Sequence, residues 1–337
     1  MKAIVYEGPN TVSVKEVPLP QVQEGYVLVK VLYGGICGTD LNIYAGGHPR
    51  AKAPLIPCHE FSGVLMEDIP GIKKGAKVTV YPLLSCGHCE PCQTGNSHVC
   101  NTLGLLGIDC DGGFGEYVAC PIDSIIPLAE NISPKVGAFI EPIAVTVHAL
   151  RETGFRPGDN AIVIGAGTIG AATAITLKQF GASNIVVAET DCVRRKKMKD
   201  MGFEVIDPMV TDLHTYGKEK CPAGGFDWVY DCAGVQAVAD TLLDLVKVRG
   251  HIVVIASYKK SPTLPLFMGM VKETDIRFCR VYRKKDFEIA AEMAANPEYE
   301  KLITHVLPPE KAEEGFKLLL TPGTGAVKVM FTFDEEK

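Results

Sequence analysis

Three short segments that are far apart in the chain carry side chains able to bind one metal ion. Cys37 lies in the first segment, His59 and Glu60 are neighbours in the second, and Glu141 lies in the third. Thiolate, imidazole and carboxylate groups are all zinc ligands, and a catalytic zinc keeps one coordination position open for water or substrate. A His-Glu pair on its own usually lies at the solvated surface or has its hydrogen bonds satisfied in a core, so the three segments must be considered together. Together they predict an open zinc site.

A second set of metal ligands is local. Cys86, Cys89 and Cys92 are each separated by two residues, and Cys100 follows in the same loop. Four thiolates fill the tetrahedral shell of zinc and leave no position for a substrate. We therefore predict a structural zinc here. Of the other cysteines, only Cys58 is predicted to lie near the open site, and the rest are interpreted mostly as small buried apolar residues.

A glycine-rich segment points to a dinucleotide. Gly165, Gly167 and Gly170 form a G-x-G-x-x-G pattern between a short apolar segment and a helix-like segment, and Glu189 ends the next apolar segment. In this context the first glycines let the backbone approach a pyrophosphate, and the last lets helix and strand pack closely. Glu189 can accept hydrogen bonds from the adenosine ribose. Because its carboxylate repels a 2′-phosphate, we favour NAD over NADP, although the cations at 194–197 could accept that phosphate.

The elements that hold these residues fall into two patterns. Up to about residue 140, short alternating apolar segments separated by Gly and Pro predict antiparallel β-structure with long loops. After Pro142, apolar segments alternate with helical stretches such as 235–246, which predicts a doubly wound parallel sheet with ligands at the carboxyl ends of its strands. Ala256 and Ser257 would then lie near the nicotinamide. The segment 326–331 is again β and could return to the first domain.

Length and composition restrict the class of protein. A chain of 337 residues favours two domains. Its formal charge of −6, with no long basic stretch, makes nucleic acid and anionic membrane poor partners. The amino-terminal residues show no secretory signal, and no apolar stretch is long enough to span a membrane. Twelve cysteines without an export signal favour the reducing cytoplasm.

Taken in order, these motifs resemble the zinc-dependent medium-chain alcohol dehydrogenases over nearly the whole chain, and within them the sorbitol (polyol), threonine and butanediol dehydrogenase branch. The resemblance implies a GroES-like β-rich catalytic domain, residues 1–146 with 298–337. It also implies a Rossmann NAD-binding domain, residues 147–297, inserted between these two parts. A homodimer or homotetramer that binds two Zn²⁺ per chain and a small alcohol is expected.

The resemblance also assigns roles to residues. Cys37, His59 and Glu60 resemble the catalytic zinc ligands, Glu141 the carboxylate that holds zinc-bound water or exchanges with Glu60, and Thr39 the hydroxyl that passes on the substrate proton. The four cysteines of the loop match the structural zinc ligands. The cofactor contacts implied by the motifs and the resemblance are Gly165, Gly167, Ile169, Gly170, Glu189, Arg194, Ile255, Ala256, Ser257 and Arg280.

Four positions depart from the branch. Asn42 stands where many relatives have a histidine that continues the proton relay, and Cys58 replaces the usual glycine before the zinc histidine. Ile43 and Val281 replace a tyrosine and an arginine of sorbitol dehydrogenases, which argues against sorbitol itself. His48 is interpreted as a solvated loop histidine rather than a base or a substrate contact.

The leading hypothesis is reversible oxidation of a secondary alcohol of a polyol, sugar acid or diol to the ketone with NAD. The alternative within enzymes is oxidation of a 3-hydroxy amino acid such as threonine. The alternative outside enzymes is a non-catalytic protein that binds NAD or zinc, which the retained ligand residues disfavour.

Overall fold

The structure is a computed structural model that describes residues 1–221 and 223–334. The chain forms two compact units. Unit 1 comprises Met1–Ala144 and Arg283–Lys337, and unit 2 comprises Val145–Tyr282. Within the described ranges, no helix has the length and apolar character that a membrane span requires.

Unit 1 is mainly β-structure, as its alternating sequence predicts. Its strands are β1 (Lys2–Gly8), β2 (Thr11–Glu16), β3 (Tyr26–Gly35), β4 (Glu60–Leu65), β5 (Lys77–Val80), β6 (Leu83–Leu84), β7 (Gly104–Leu105), β8 (Tyr117–Pro121), β9 (Ile125–Pro127), β16 (Ile303–Leu307) and β17 (Lys328–Thr332). Its helices are α1 (Gly38–Tyr44), α2 (Glu90–Gln93), α3 (Pro134–Gly137), α11 (Lys284–Met293), α12 (Pro297–Glu300) and α13 (Ala312–Leu320), with single 3-10 turns at Ser97–Val99, Ile122–Ser124 and Pro309–Lys311. Helix α4 (Ile140–Thr153) begins in unit 1 and continues into unit 2.

The main sheet of unit 1 is organised around β3. Six strands follow the order β16-β17-β3-β4-β5-β9, and β8 also pairs with β3. Along β3, Val27, Val29 and Val31 are fully buried and alternate with less buried residues, which is the two-residue period of a strand with one face in the core. The same strand pairs antiparallel with β4 and with β17, so it joins the two parts of the chain that form unit 1.

Unit 2 contains a six-stranded parallel sheet. The strand order β12-β11-β10-β13-β14-β15 reverses direction at β10, as in a doubly wound nucleotide-binding fold. The strands are β10 (Asn160–Ile164), β11 (Asn184–Ala188), β12 (Glu204–Ile206), β13 (Phe226–Asp231), β14 (Val246–Val254) and β15 (Asp275–Phe278). The helices are α5 (Thr168–Gln179), α6 (Cys192–Asp200), α7 (Leu213–Lys220), α8 (Gln236–Ala239), α9 (Leu242–Leu245) and α10 (Leu266–Lys272).

One predicted element differs from the structure. The helix predicted at 235–246 is two short helices, α8 and α9, and at their junction Thr241 N and the Thr241 hydroxyl both donate to Val238 O. Unit 2 ends at Tyr282, and the chain continues in unit 1 from Arg283. Helix α11 belongs to unit 1, where Lys284 Nζ donates to Asp123 O at 2.6 Å and Phe287 packs edge-on against Tyr81.

Candidate active site

The fold brings three of the predicted zinc ligands together inside unit 1. One donor atom each of Cys37, His59 and Glu60 lie within 4.8 Å of one another. His59 and Glu60 are buried, and Cys37 is partly exposed. Sequence separation therefore did not prevent the predicted cluster from forming.

Strand pairing places Cys37 and Glu60 next to each other. Gly35 ends β3 and lies opposite Glu60, the first residue of β4. A Cβ atom on Gly35 would be 2.6 Å from Glu60 Oε2, so glycine is the residue that leaves room for this carboxylate. Cys37 follows two residues later, at the start of α1.

Asp40 ties the two ligand segments together. Its carboxylate accepts from Cys37 N at 2.8 Å and from Cys58 N at 3.3 Å, and its side chain is buried. These bonds fix the backbone beside both Cys37 and His59. Asp40 was not among the predicted site residues, although an acidic residue in the first turn after Cys37 is a helix-capping signal.

The turn before His59 is unusual. Cys58 has φ 85°, a left-handed conformation that glycine adopts readily and that residues with a Cβ atom adopt rarely. Its thiol is fully buried and lies 3.5 Å from Gly35 O and 3.3 Å from Glu60 O. A Cβ atom on Gly107 or Gly112 would overlap Cys58 O. This crowding explains how a non-glycine residue is held at the position where a glycine was expected.

A buried cation accompanies Glu60. Lys328, the first residue of β17, donates from Nζ to Glu60 Oε2 and to Ile36 O, the latter at 2.9 Å. Lys328 is 1% exposed. Position 328 was predicted to lie in the closing β segment, with no role in the site. The signal was a single lysine inside the otherwise apolar segment 326–331, since lysine is almost never fully buried unless it is paired.

Charges in the cluster are strongly coupled. Burial and the nearby Glu60 raise the pKa of the Cys37 thiol. Burial disfavours the charged form of His59, but the negative charges of Cys37 and Glu141 outweigh burial and raise its pKa. The pKa of Lys328 is also raised, because Glu60 and Cys37 outweigh the effect of its burial. A divalent cation bound here would displace protons from the thiol and the imidazole, which is how metal binding usually couples to pH.

Glu141 and Thr39 lie in the same unit. Glu141 is in the first turn of α4 and is buried, and its charge acts on both His59 and Lys328. It is not among the three residues whose donor atoms cluster within 4.8 Å in the described chain. Thr39 lies in the first turn of α1, next to the Cys37 segment, and is partly buried.

These residues fit a zinc ion. A thiol, an imidazole and a carboxylate form a donor set that zinc accepts. His59 Nδ1 is buried and has no hydrogen-bond partner in the described part of the chain, an arrangement that buried polar atoms rarely show unless a ligand or water is missing.

The cysteine loop forms a second compact cluster in unit 1. Donor atoms of Cys86, Cys89, Cys92 and Cys100 lie within 4.8 Å of one another. Cys89 Sγ is 3.4 Å from Cys92 Sγ and 3.7 Å from Cys100 Sγ, and Cys86 Sγ is 4.0 Å from Cys92 Sγ. Zinc–sulfur bonds of about 2.3 Å in a tetrahedron separate the sulfurs by about 3.8 Å. The spacing therefore fits a four-thiolate zinc site.

Backbone groups around this loop favour thiolates. Cys86 N donates to Cys100 Sγ at 3.3 Å, and Cys89 N donates to Cys86 Sγ at 3.4 Å. Hydrogen bonds from the backbone of His88 and Cys89 lower the pKa of Cys86 to about 5. Desolvation and the adjacent Cys89 sulfur raise the pKa of Cys92 to about 12, as expected when thiolates crowd together without a cation.

In unit 2, the glycine pattern lies where a parallel sheet binds dinucleotides. It follows β10 and leads into α5, at the point where the strand order reverses. Gly165 has φ 96°, and a Cβ on Gly170 would overlap Gly165 O. A Cβ on Gly167 would meet only Arg194 Nη1, at 3.8 Å. Gly170 therefore allows tight packing, while the backbone at Gly167 stays accessible.

Glu189 lies at the end of β11 and faces this loop. Its Oε2 accepts from Ala166 N at 2.5 Å and its Oε1 from Asp191 N at 2.8 Å. Gly165, Gly167, Glu189 and Arg194 line a cavity of about 550 Å³, a volume typical of ligand sites. These residues fit a dinucleotide whose pyrophosphate contacts the glycine loop.

The remaining predicted cofactor residues are also in unit 2. Ile169 is in the first turn of α5. Ile255, Ala256 and Ser257 follow the carboxyl end of β14, where Ile255 N and Ala256 N both donate to Asp231 O at 3.0 Å. Arg280 follows β15 and is exposed. All five thus remain predictions, at the end of the sheet where ligands of such folds bind.

Comparison with known proteins identifies the family. Residues 23–130 match the alcohol dehydrogenase GroES-like domain, and residues 168–296 match the zinc-binding dehydrogenase domain. The chain is 34% identical over 300 residues to the 2-dehydro-3-deoxy-L-galactonate 5-dehydrogenase of Pseudoalteromonas atlantica, covering 88% of each chain. The (R,R)-butanediol dehydrogenase of Saccharomyces cerevisiae is 31% identical and covers 98% of each chain. The L-threonine 3-dehydrogenase of Bacillus velezensis is 30% identical over 97% of this chain and 98% of its own. The sorbitol dehydrogenase of Halalkalibacterium halodurans is 31% identical over 96% of this chain and 99% of its own.

Solved structures agree with this result. An alcohol dehydrogenase from Escherichia coli CFT073, complexed with NADH, has a TM-score of 0.91 and 29% identity over 99% of both chains. A zinc-binding dehydrogenase from Sinorhizobium meliloti, bound to NADP, has a TM-score of 0.90 and 28% identity over 98% of both chains.

The chain therefore belongs to the zinc-binding alcohol dehydrogenase family, among homologues that are zinc-type dehydrogenases of sugar acids, polyols, diols and threonine. The predicted fold class, a GroES-like domain with a Rossmann domain, and the predicted enzyme class are confirmed.

Proposed function

We propose that this enzyme reversibly oxidises a secondary alcohol of a polyol, sugar acid or diol to the ketone with NAD. The observation that carries the proposal is the cluster of Cys37, His59 and Glu60 in unit 1, in which His59 and Glu60 are buried and Cys37 is partly exposed. A relative that acts on a sugar acid, at 34% identity, supports the substrate class.

In this proposal Cys37, His59 and Glu60 hold the catalytic zinc, with Glu141 as the carboxylate that exchanges with Glu60. Bound Zn²⁺ supplies a Lewis acid that lowers the pKa of an alcohol, and bound NAD supplies the hydride acceptor. Thr39 accepts a hydrogen bond from the substrate hydroxyl and relays its proton, releasing its own hydroxyl proton to water as it takes up that of the substrate. Asp40 holds the backbone of Cys37, which keeps the thiolate in place while the carboxylates exchange.

Metal content and turnover together test this mechanism. We expect wild-type protein to contain two zinc ions per chain and to produce NADH with at least one substrate of a panel of aldonates, polyols, butanediol and threonine. C37A is expected to keep one zinc, in the cysteine loop, and to lose turnover. C110A, which removes an exposed thiol outside both clusters, is the matched control. Unaltered turnover in C37A would contradict the zinc mechanism, and one zinc in the wild type would favour a non-catalytic binding protein.

The same panel decides between substrate classes. Threonine is included because a threonine 3-dehydrogenase is 30% identical over 97% of this chain. Turnover of threonine but of no polyol or aldonate would replace the leading proposal with the amino acid alternative.

The preference for NAD rests on Glu189. Its carboxylate occupies the edge of the cofactor cavity and would repel a 2′-phosphate. Arg194 lines the same cavity, and Arg195 lies beside it in sequence. We expect E189S to reduce the ratio of kcat/KM for NAD to that for NADP at least tenfold, because it removes the repelling charge and leaves these cations. An unchanged ratio would remove Glu189 as the discriminating residue.

We also propose that the enzyme forms a homodimer or homotetramer in the cytoplasm. Unit 2 exposes Leu266, Phe267, Met270 and Val271 on α10 and Phe278 on β15, the edge strand of its sheet. Exposed apolar groups beside an open strand edge are typical of a subunit interface. Light scattering should show an oligomer that F278E dissociates and that L320E, which alters an exposed residue at the end of α13 in unit 1, does not. The twelve free cysteines support a reducing compartment.

A further inference from the structure

The loop that follows α1 lies beside the segment that carries Thr39. Asn42 is one turn further along α1 than Thr39, so the two side chains share a face of the helix. Gly47 N donates to Asn42 O at 2.9 Å, and a Cβ on Gly47 would be 2.5 Å from Asn42 Oδ1. The loop is therefore packed against Asn42, and its next residue is His48.

Hydrogen bonds define the tautomer of His48. Its Nδ1 accepts from Arg50 N at 3.4 Å and from Ala51 N at 3.2 Å. In a neutral imidazole, one ring nitrogen accepts and the other carries the proton. Because Nδ1 accepts, the proton is on Nε2, and in the described chain Nε2 has no hydrogen-bond partner.

The loop is held in this orientation by Arg50. The Arg50 guanidinium donates to Leu103 O, and its Nη1 lies 3.3 Å from Asp109 Oδ2. Asp109 in turn accepts from Leu105 N at 2.8 Å. The His48 ring is thus fixed by its own backbone bonds and by a neighbouring loop.

Charge and hydrogen bonding keep His48 neutral. Desolvation, Arg50 and His59 lower its pKa, and together they outweigh Asp109, which acts in the opposite direction. A protonated ring would also direct an Nδ1–H towards two backbone N–H groups. His48 is therefore unsuited to act as a base, since Nε2 already carries hydrogen and Nδ1 is occupied.

We propose that His48 is a specificity-determining residue whose Nε2–H donates a hydrogen bond to a second oxygen of the substrate, a hydroxyl or carboxylate beyond the reacting carbinol. This inference rests on the proposed function and narrows it to oxygen-rich alcohols. Gly47, which packs against Asn42 one turn beyond Thr39, places the His48 loop beside the segment that carries Thr39. The prediction that His48 is a solvated loop histidine is the alternative that the following experiment tests.

A pair of substitutions separates the two functions of the ring. In H48N the amide oxygen replaces Nδ1 as the acceptor for the loop, and the Nε2–H donor is lost. In H48Q the amide N–H reaches the position of Nε2. For a polyol or aldonate that the wild type oxidises, we expect kcat/KM to fall at least tenfold in H48N and to stay within threefold in H48Q. For propan-2-ol, which has no second oxygen, neither variant should change.

Three kinetic results would overturn the donor role of His48. In the first, kcat/KM falls equally on propan-2-ol and on polyols. In the second, H48N loses no activity on polyols, and in the third, H48Q is as impaired as H48N. Loss of the low-pH limb of the kcat profile in H48N would instead assign His48 as a base and would also overturn it.

A spectroscopic measurement does not depend on turnover. Long-range ¹H–¹⁵N correlation spectra of ¹⁵N-labelled enzyme, with H48N used for assignment, should show the Nε2–H tautomer at pH 7. The pKa should lie below the ordinary value of about 6.5. An Nδ1–H tautomer, or a pKa above that value, overturns the inference. If the wild type oxidises no panel substrate, the proposed function fails, and the tautomer still decides whether His48 is built as a donor.

Discussion

Lys328 and Glu60 form a buried ion pair although 268 positions separate them in the sequence. Their side chains are 1% and 2% exposed, and Lys328 also donates to Ile36 O. The pair joins the last strand of unit 1 to a predicted zinc ligand. Lys328 therefore holds Glu60 beside Cys37 and compensates its charge in the core.

Removal of the Lys328 charge should strongly destabilise the folded protein. In K328M the Glu60 carboxylate loses its cation while it stays buried, and breaking such a pair typically costs about 3–5 kcal/mol. We expect the urea unfolding midpoint to fall accordingly and K328R to recover part of the loss. K317A removes a lysine that is 63% exposed and pairs with Glu313 on α13, and it should leave the midpoint unchanged. A K328M midpoint equal to that of K317A would show that the pair contributes nothing to the folded state.

The left-handed backbone at Cys58 predicts that glycine is more stable than alanine at this position, which is the reverse of the order in an ordinary strand. Both C58A and C58G lose the buried sulfur, but only glycine relieves the left-handed backbone at φ 85°. We expect C58G to be more stable than C58A by about 1 kcal/mol.

Cys120 provides the matched control. It is equally buried, within β8, in an ordinary strand conformation. There C120G should be less stable than C120A, by about 0.5–1 kcal/mol. The same order at both positions, measured by chemical denaturation, would argue against strain at Cys58.

Gly170 should tolerate no side chain. Its added Cβ would overlap Gly165 O, so G170A must displace α5 or the glycine loop. We expect NADH affinity, measured by fluorescence titration, to fall at least tenfold. At Gly269 in α10 an added Cβ meets only Leu243, at an ordinary 3.6 Å, and G269A should bind NADH like the wild type. Equal NADH affinities for the wild type, G170A and G269A would count against close packing of the glycine loop.

The cysteine loop should contribute to stability rather than to chemistry. C92S removes one thiolate of the four, and we expect one zinc per chain to be lost and the melting temperature to fall, since structural zinc contributes folding energy directly. C192S, which alters an exposed cysteine at the start of α6, should change neither zinc content nor melting temperature. Full zinc content in C92S would show that three sulfurs suffice.

Local patterns in the sequence predicted much of this structure. The glycine pattern lies as expected between a short apolar strand, β10, and a helix, α5. Cys86, Cys89 and Cys92 converge because two-residue spacings bring neighbouring sulfurs together, and Cys100 completes the cluster from later in the same loop. The alternation of apolar segments was enough to predict the parallel sheet, since each segment must be buried on both faces.

Features that depend on distant pairing were not predicted. The partnership of Lys328 with Glu60 requires the register of β17 against β3, and no local pattern encodes that register. The role of Asp40 required knowing that Cys58 lies next to α1. The contacts of helix α11 with Tyr81 and Asp123 likewise involve residues far away in sequence, so no local pattern predicts them.

The position of Lys328 has a consequence for biosynthesis. At a translation rate of about 5–20 residues per second, roughly 10–50 s pass between the synthesis of Glu60 and that of Lys328. All of unit 2 is made in this interval. During that time the Glu60 carboxylate has no Lys328 beside it, so it cannot be buried as an ion pair. Unit 1, which carries the proposed catalytic cluster, is thus the first unit whose synthesis begins and the last to be completed.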